Sequence, residues 1–157
     1  MDSDQETLLD ENLVRKAMLY MKKRHPLFRA NVDHDPISKS VNLIIQNKYT
    51  DDVDLEWCQI NSRTFLTKKL EEFNSKLFEY EKDCLLWRCK VIEFKENDMV
   101  KYCLALVLPL YITDGINITT LIIEVVNIIN SILNNKECEE MRIHLDLIDN
   151  LHVIKFS

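Results

Sequence analysis

Glycine is almost missing from this chain: Gly115 is the only one in 157 residues, and the three prolines, Pro26, Pro36 and Pro109, stand far apart. A flexible linker needs runs of Gly, Ser or Pro, so nothing marks a boundary, and one domain over residues 1–157 is expected. With 46% hydrophobic residues the chain can fill a core of its own without disulfides or metal. Basic residues are in deficit, 20 Lys and Arg against 26 Asp and Glu. Phosphate binding relies on clustered cations that displace counterions, so neither nucleic acid nor an anionic membrane is an expected partner. A long uninterrupted apolar run is also absent. The nearest, Ile116 to Leu133, is broken by Asn117, Thr119, Thr120, Glu124, Asn127 and Asn130, which does not read as a membrane span. No CxxC pair occurs, and the five cysteines (Cys58, Cys84, Cys89, Cys103, Cys138) are odd in number. Free thiols in a reducing, cytoplasmic compartment fit that pattern, and they read as small buried hydrophobes. Met1 to Glu6 are acidic and polar where a secretory leader needs a basic start and an apolar run; residues 1–8 are expected to be disordered.

What is present alternates between helical and extended periods. Leu13, Val14, Ala17, Met18 and Met21 recur at helical spacing after Asp10, a residue suited to cap a helix, and Pro26 ends the pattern at Arg24 or His25. Val41 to Asn47 is β-branched and Leu55 to Cys58 alternates, so both read as strands. A second helix is expected over Thr64 to Phe78, with Leu66, Leu70, Phe73 and Leu77 on one stripe and Lys68, Lys69, Glu71 and Glu72 toward water. Leu85 to Phe94 and Val100 to Leu108 flank the polar turn Lys95-Glu96-Asn97-Asp98, the pattern of an antiparallel hairpin. Ile116 to Leu133 would be a strand by propensity alone. Its length, and a polar row of Thr120, Glu124, Asn127 and Ser131 along one face, predict a helix packed on a sheet. The tail, 142–157, carries alternation at Ile143, Leu145 and Leu147 and again over Val153 to Phe156; one strand and a hairpin both fit.

Four segments in this order carry a resemblance: Leu9-Asp10-Glu11-Asn12-Leu13-Val14-Arg15-Lys16-Ala17; Arg24-His25-Pro26-Leu27-Phe28-Arg29; Leu85-Leu86-Trp87-Arg88-Cys89; and Asp114-Gly115. The chain resembles the N-terminal half of the chloramphenicol acetyltransferase-like superfamily, which includes alcohol acetyltransferases and peptide-synthetase condensation domains. The resemblance implies an α/β (α+β) fold, a single lobe of a CoA-dependent acyltransferase type, with a mixed or mostly antiparallel sheet packed by about three helices. Members carry an HHxxxDG motif between a strand and a helix. Here the aligned segment is Pro109-Leu110-Tyr111-Ile112-Thr113-Asp114-Gly115, and both histidines are gone. In the family the second histidine takes a proton from the acceptor as it attacks a thioester. Leu110 stands in its place and accepts no proton at any pH. Asp114 and Gly115 are similar to the structural part of the motif, the Asp for an ion pair and the Gly for the turn into the helix. The family's first strand, ahead of helix one, has no counterpart in the short polar segment here.

The resulting expectation is a non-catalytic protein with no cofactor that binds an apolar small molecule or a partner protein. A face that would otherwise meet a second lobe, and strand edges left open there, imply a homo-oligomer or a second-lobe partner. The degenerate motif (Pro109, Leu110, Asp114, Gly115) and Trp87, Cys103, Leu108, Leu110, Tyr111 and Thr113 are the candidate pocket. Two alternatives stay open. One is a lobe of an acyltransferase using a CoA thioester, its base supplied by another subunit or by a residue such as His25; the other is a structural interaction module with no ligand. His25 in the family is structural at a helix end, where a cation or donor is favoured. His34, His144 and His152 are isolated, and Asp33-His34-Asp35 ahead of Pro36 reads as a turn rather than a metal site, so no metal is expected. Trp57 and Trp87 read as core or pocket-wall aromatics.

Overall fold

The computed structural model describes residues 9–35, 37–47, 50–76, 84–109 and 118–134. Helix α1, Glu11–Arg24, begins where the sequence places it: the Asp10 carboxylate accepts a hydrogen bond from the Leu13 amide at 2.8 Å, meeting one of the unsatisfied amides of the first turn. It ends at His25, whose amide donates to the Met21 carbonyl, and Pro26 opens a short 3-10 turn, Pro26–Arg29. The Arg29 guanidinium then donates to the Lys22 and Lys23 carbonyls at 2.5 and 3.0 Å, so the last turn of α1 is capped from the segment that follows it. Strand β1, Ala30–His34, pairs antiparallel with β2, Val41–Ile45, in register Ala30↔Ile45 to His34↔Val41.

Strand β3, Leu55–Ile60, runs parallel to β4, Arg88–Glu96, which is antiparallel to β5, Met99–Val107. These form a separate sheet of order β3-β4-β5. A 3-10 turn over Arg63–Phe65 leads into α2, Leu66–Ser75, and α3 spans Ile118–Leu133. The fold class is the one expected, α+β with three helices among the described residues, a mixed sheet and an antiparallel one. The β4–β5 hairpin is closed by Asn97 and Asp98, both with positive φ (52° and 62°), the turn whose twist matches the flanking strands.

Alternation sorts the three-stranded sheet into two faces. Leu55, Cys89, Val91, Leu104 and Leu106 join the buried residues of α1 (Leu13, Val14, Ala17, Met18, Met21) and of α3 (Leu121, Val125, Ile128, Ile129) in the larger core, with Ala30 and Val32 of β1 beside them. Ile92, Phe94, Cys103, Ala105 and Val107 face α2 through Leu66, Leu70 and Phe73. Because both faces are covered, the middle of β4 is buried on both sides rather than alternating with water. Lys90 and Arg88 lie on the α2 side with their cations 5.3 and 5.6 Å from the Phe73 ring centre, and the Lys90 ammonium reaches the Glu56 carboxylate at 2.9 Å. Lys22, on α1, is almost fully buried, yet its ammonium donates to the Thr50 and Asp52 carbonyls at 2.8 and 2.7 Å. Burial pulls its pKa below the usual lysine range against the opposing pull of Asp52 and Asp51.

Three readings need correction. Asp33 and His34 belong to β1 and not to a turn, because β2 offers their backbone a ladder partner that the polar sequence does not reveal. The turn comes later, where the Asp35 carboxylate accepts from the Ile37 amide and the Ser38 hydroxyl. Strand β4 starts at Arg88, so Leu85 to Trp87 precede the strand that was expected to include them. The first turn of helix two is 3-10 rather than α-helical. Residues 1–8, Leu77 and Phe78, the start of helix three at Ile116, Cys138, His144, His152 and the tail 142–157 lie outside the described residues.

Candidate functional site

Two of the segments that carry the resemblance, residues 24–29 and 85–89, meet at one end of the larger core. Pro26 prevents α1 from continuing and turns the chain so that Phe28 points inward, 1% exposed. The Phe28 carbonyl accepts a 2.9 Å hydrogen bond from the indole N–H of Trp87, and the two rings pack tilted at 5.4 Å between centres. Trp87 is fully buried and stands one step beyond the Arg88↔Val107 pair, level with Leu108, also fully buried. His25 closes the other side, its ring 6.0 Å from that of Phe28.

Across from His25 is α3. The Glu124 carboxylate lies 2.7 Å from His25 Nε2 through Oε2 and 2.9 Å from the Arg24 guanidinium through Oε1, and its side chain is 11% exposed. One acid from α3 thereby holds both residues at the end of α1, where a helix C-terminus favours cations. Trp87, Phe28, His25 and Glu124 form a continuous string from the sheet to α3. Sequence reasoning treated Glu124 only as part of a polar helical row. The available signal was that it is the one charged residue between Asp114 and Lys136, and a lone acid on an apolar helix needs a partner. Of the rest of that row Thr120 is exposed, whereas Asn127 and Ser131 are buried, and Asn127 Oδ1 has no hydrogen-bond partner among the described residues.

The candidate pocket residues are not all brought together. Trp87 and Leu108 share the α1–α3 side of the sheet, whereas Cys103, paired with Ile92, lies on the opposite side beneath α2. The cause is the two-residue period of a strand: Cys103 and Leu108 are an odd number of positions apart. Pro109 is buried at the end of β5. Leu110, Tyr111, Thr113, Asp114 and Gly115 lie outside the described residues; the strand before them ends at Val107 and the helix after them is described from Ile118, the flanking elements that the resemblance implies. Trp57 is half-buried, its ring 6.0 Å from Tyr102. Cys89 and Cys103 are buried, Cys58 and Cys84 half-buried; burial, with Asp54 nearby, drives the Cys89 thiol far above its ordinary range and keeps it protonated. Among the described residues no three His, Cys, Asp or Glu side chains group as metal ligands, and no helix is long and apolar enough to cross a membrane.

Compared with known proteins, the chain matches no family model and no curated sequence. Its backbone, however, is similar to a number of solved structures, including two over most of its length. One is the X-domain from teicoplanin biosynthesis, with TM-score 0.60 and 19% identity over 84% of this chain and 27% of that one. The other is the epimerization domain from the third module of tyrocidine synthetase B, with TM-score 0.59 and 16% identity over 89% of this chain and 31% of that one. The likeness is one of fold. This chain spans under a third of the length of either of them.

Proposed function

We propose that this chain is a non-catalytic module of acyltransferase-like fold that acts by binding an apolar small molecule or a partner protein, as an oligomer. The observation that carries the reading is Leu110, an aliphatic residue where the resembling family places its proton acceptor. The engagement of His25 supports it: one ring nitrogen is held by Glu124 and one ring face is turned to Phe28, the setting of a residue that joins α1 to α3. Purified protein incubated with an acyl-CoA and an amine or alcohol acceptor should give no transfer above the uncatalysed rate. Native mass spectrometry of the same material, isolated from its source, should show an oligomer or a co-purifying ligand; transfer that saturates with acyl-CoA would overturn the proposal.

One observation favours the alternative of an active lobe. With Nε2 facing a carboxylate, the His25 imidazole is oriented as a general base is, leaving Nδ1 uncommitted to Glu124. Under that reading, His25→Ala abolishes transfer while Arg24→Ala, which touches the same carboxylate, leaves it largely intact.

A further inference from the structure

Strand β2 is the least covered apolar element. Leu43, Ile44 and Ile45 are 41, 46 and 43% exposed. Successive residues of a strand point to opposite faces, so both faces of β2 are left partly open. Ile37, in the turn before it, is 92% exposed. One edge of β2 pairs with β1, and among the described residues no strand pairs with the other. Natural proteins usually blunt such an edge with a charge, a proline or a bulge inside the strand. β2 has none of these, and no charged residue stands between Lys39 and Lys48.

We propose that β2 pairs antiparallel with β2 of a second copy of this chain, across a twofold axis near Leu43, so that two hairpins become one four-stranded sheet. The inference deepens the oligomer part of the proposed function by naming its surface. The strand matches itself: with Leu43 at the axis, Leu43 meets Leu43 and Val41 meets Ile45 on one face, while Asn42 meets Ile44 on the other, with no like charges opposed. Such pairing covers the free edge and part of Leu43, Ile44 and Ile45 on the two faces of the sheet, an uncharged surface that offers a charged partner no counter-charge.

The test is sedimentation velocity of the full chain over a wide concentration range, with Leu43→Lys/Ile44→Lys as the perturbation. Both positions are exposed, and circular dichroism checks that the double variant keeps its fold. The wild type should dimerise, and the variant should be monomeric or weaker by at least tenfold, because lysines meet across the axis. A wild-type monomer, or a dimer indifferent to the two lysines, overturns the proposal. Should the variant not fold, hydrogen exchange of the wild type decides: protection of residues 41–45 must rise with concentration, and protection independent of it is also fatal. A monomeric wild type would sink the oligomer clause of the proposed function together with this pairing while leaving the absence of acyl transfer untouched, whereas a dimer indifferent to the lysines would sink the pairing alone.

Discussion

Replacing Trp87 by Phe tests whether the aromatic joint holds the end of α1 to the sheet. Two losses combine. The indole N–H no longer meets the Phe28 carbonyl, and leaving a buried acceptor without its donor costs about 1–3 kcal/mol. The missing five-membered ring also leaves a gap in a fully buried site, where partial relaxation adds ~1 kcal/mol or more. The total, about 2–4 kcal/mol, is a large part of the ~5–15 kcal/mol that stabilises a typical domain. Urea unfolding followed by far-ultraviolet circular dichroism should show a midpoint lower by ~1–2 M with an unchanged slope. Phe28→Leu separates the two effects, since the acceptor is a backbone carbonyl that survives the change while the ring contact of ~0.5–1.5 kcal/mol does not. A double-mutant cycle should then give a coupling of that size. A Trp87→Phe protein that loses less than ~1 kcal/mol, or a cycle with no coupling, would refute the claim that these residues form one joint.

Two further outcomes follow from local geometry. Asp98 holds φ of 62° in the β4–β5 turn, a conformation that glycine adopts without strain, so Asp98→Gly should stabilise the protein by ~0.5–1 kcal/mol in thermal or urea unfolding. At Glu56, burial works to raise the carboxyl pKa, but the hydrogen bonds from Lys76 and Lys90 outweigh it and hold it below the ordinary 4.5. A depressed carboxyl gives stability that is present above its unfolded pKa and lost as pH falls through the folded one, so the contribution should fade as pH drops below the ordinary 4.5 and through the depressed folded value. Glu56→Gln should flatten that part of the stability–pH curve and leave Lys90 poorly compensated at neutral pH.

Much of the fold was legible because periodicity and punctuation agree. Asp10 and Pro26 bound α1, and the apolar spacing between them gives the buried face. Asn97-Asp98 between two apolar runs gave the hairpin and its sense. What escaped notice depended on partners distant in sequence. β1 reads Ala-Asn-Val-Asp-His, with no run of β-branched residues, and is a strand because β2 pairs with it and the core takes Ala30 and Val32. The parallel pairing of β3 with β4 crosses α2 and leaves no local trace. Of the candidate pocket residues, Trp87 and Leu108 lie on one side of the sheet, while Cys103, added to them through the hairpin pairing, takes the other, because the pairing does not by itself say which face a residue occupies.

The string from Trp87 through Phe28 and His25 to Glu124 also explains why a resemblance spread over separate short segments points to architecture more firmly than to chemistry. Two of those segments supply residues that need distant partners: Trp87 needs the Phe28 carbonyl, Phe28 needs the turn that Pro26 imposes, and Arg24 and His25 need the acid of α3. A chain can keep all of these contacts, and so keep the fold, whichever residue occupies position 110, because none of them passes through it. The packing demand on Arg24-His25-Pro26-Leu27-Phe28-Arg29 and on Trp87 is thus one of architecture, and it neither requires nor implies a base at position 110.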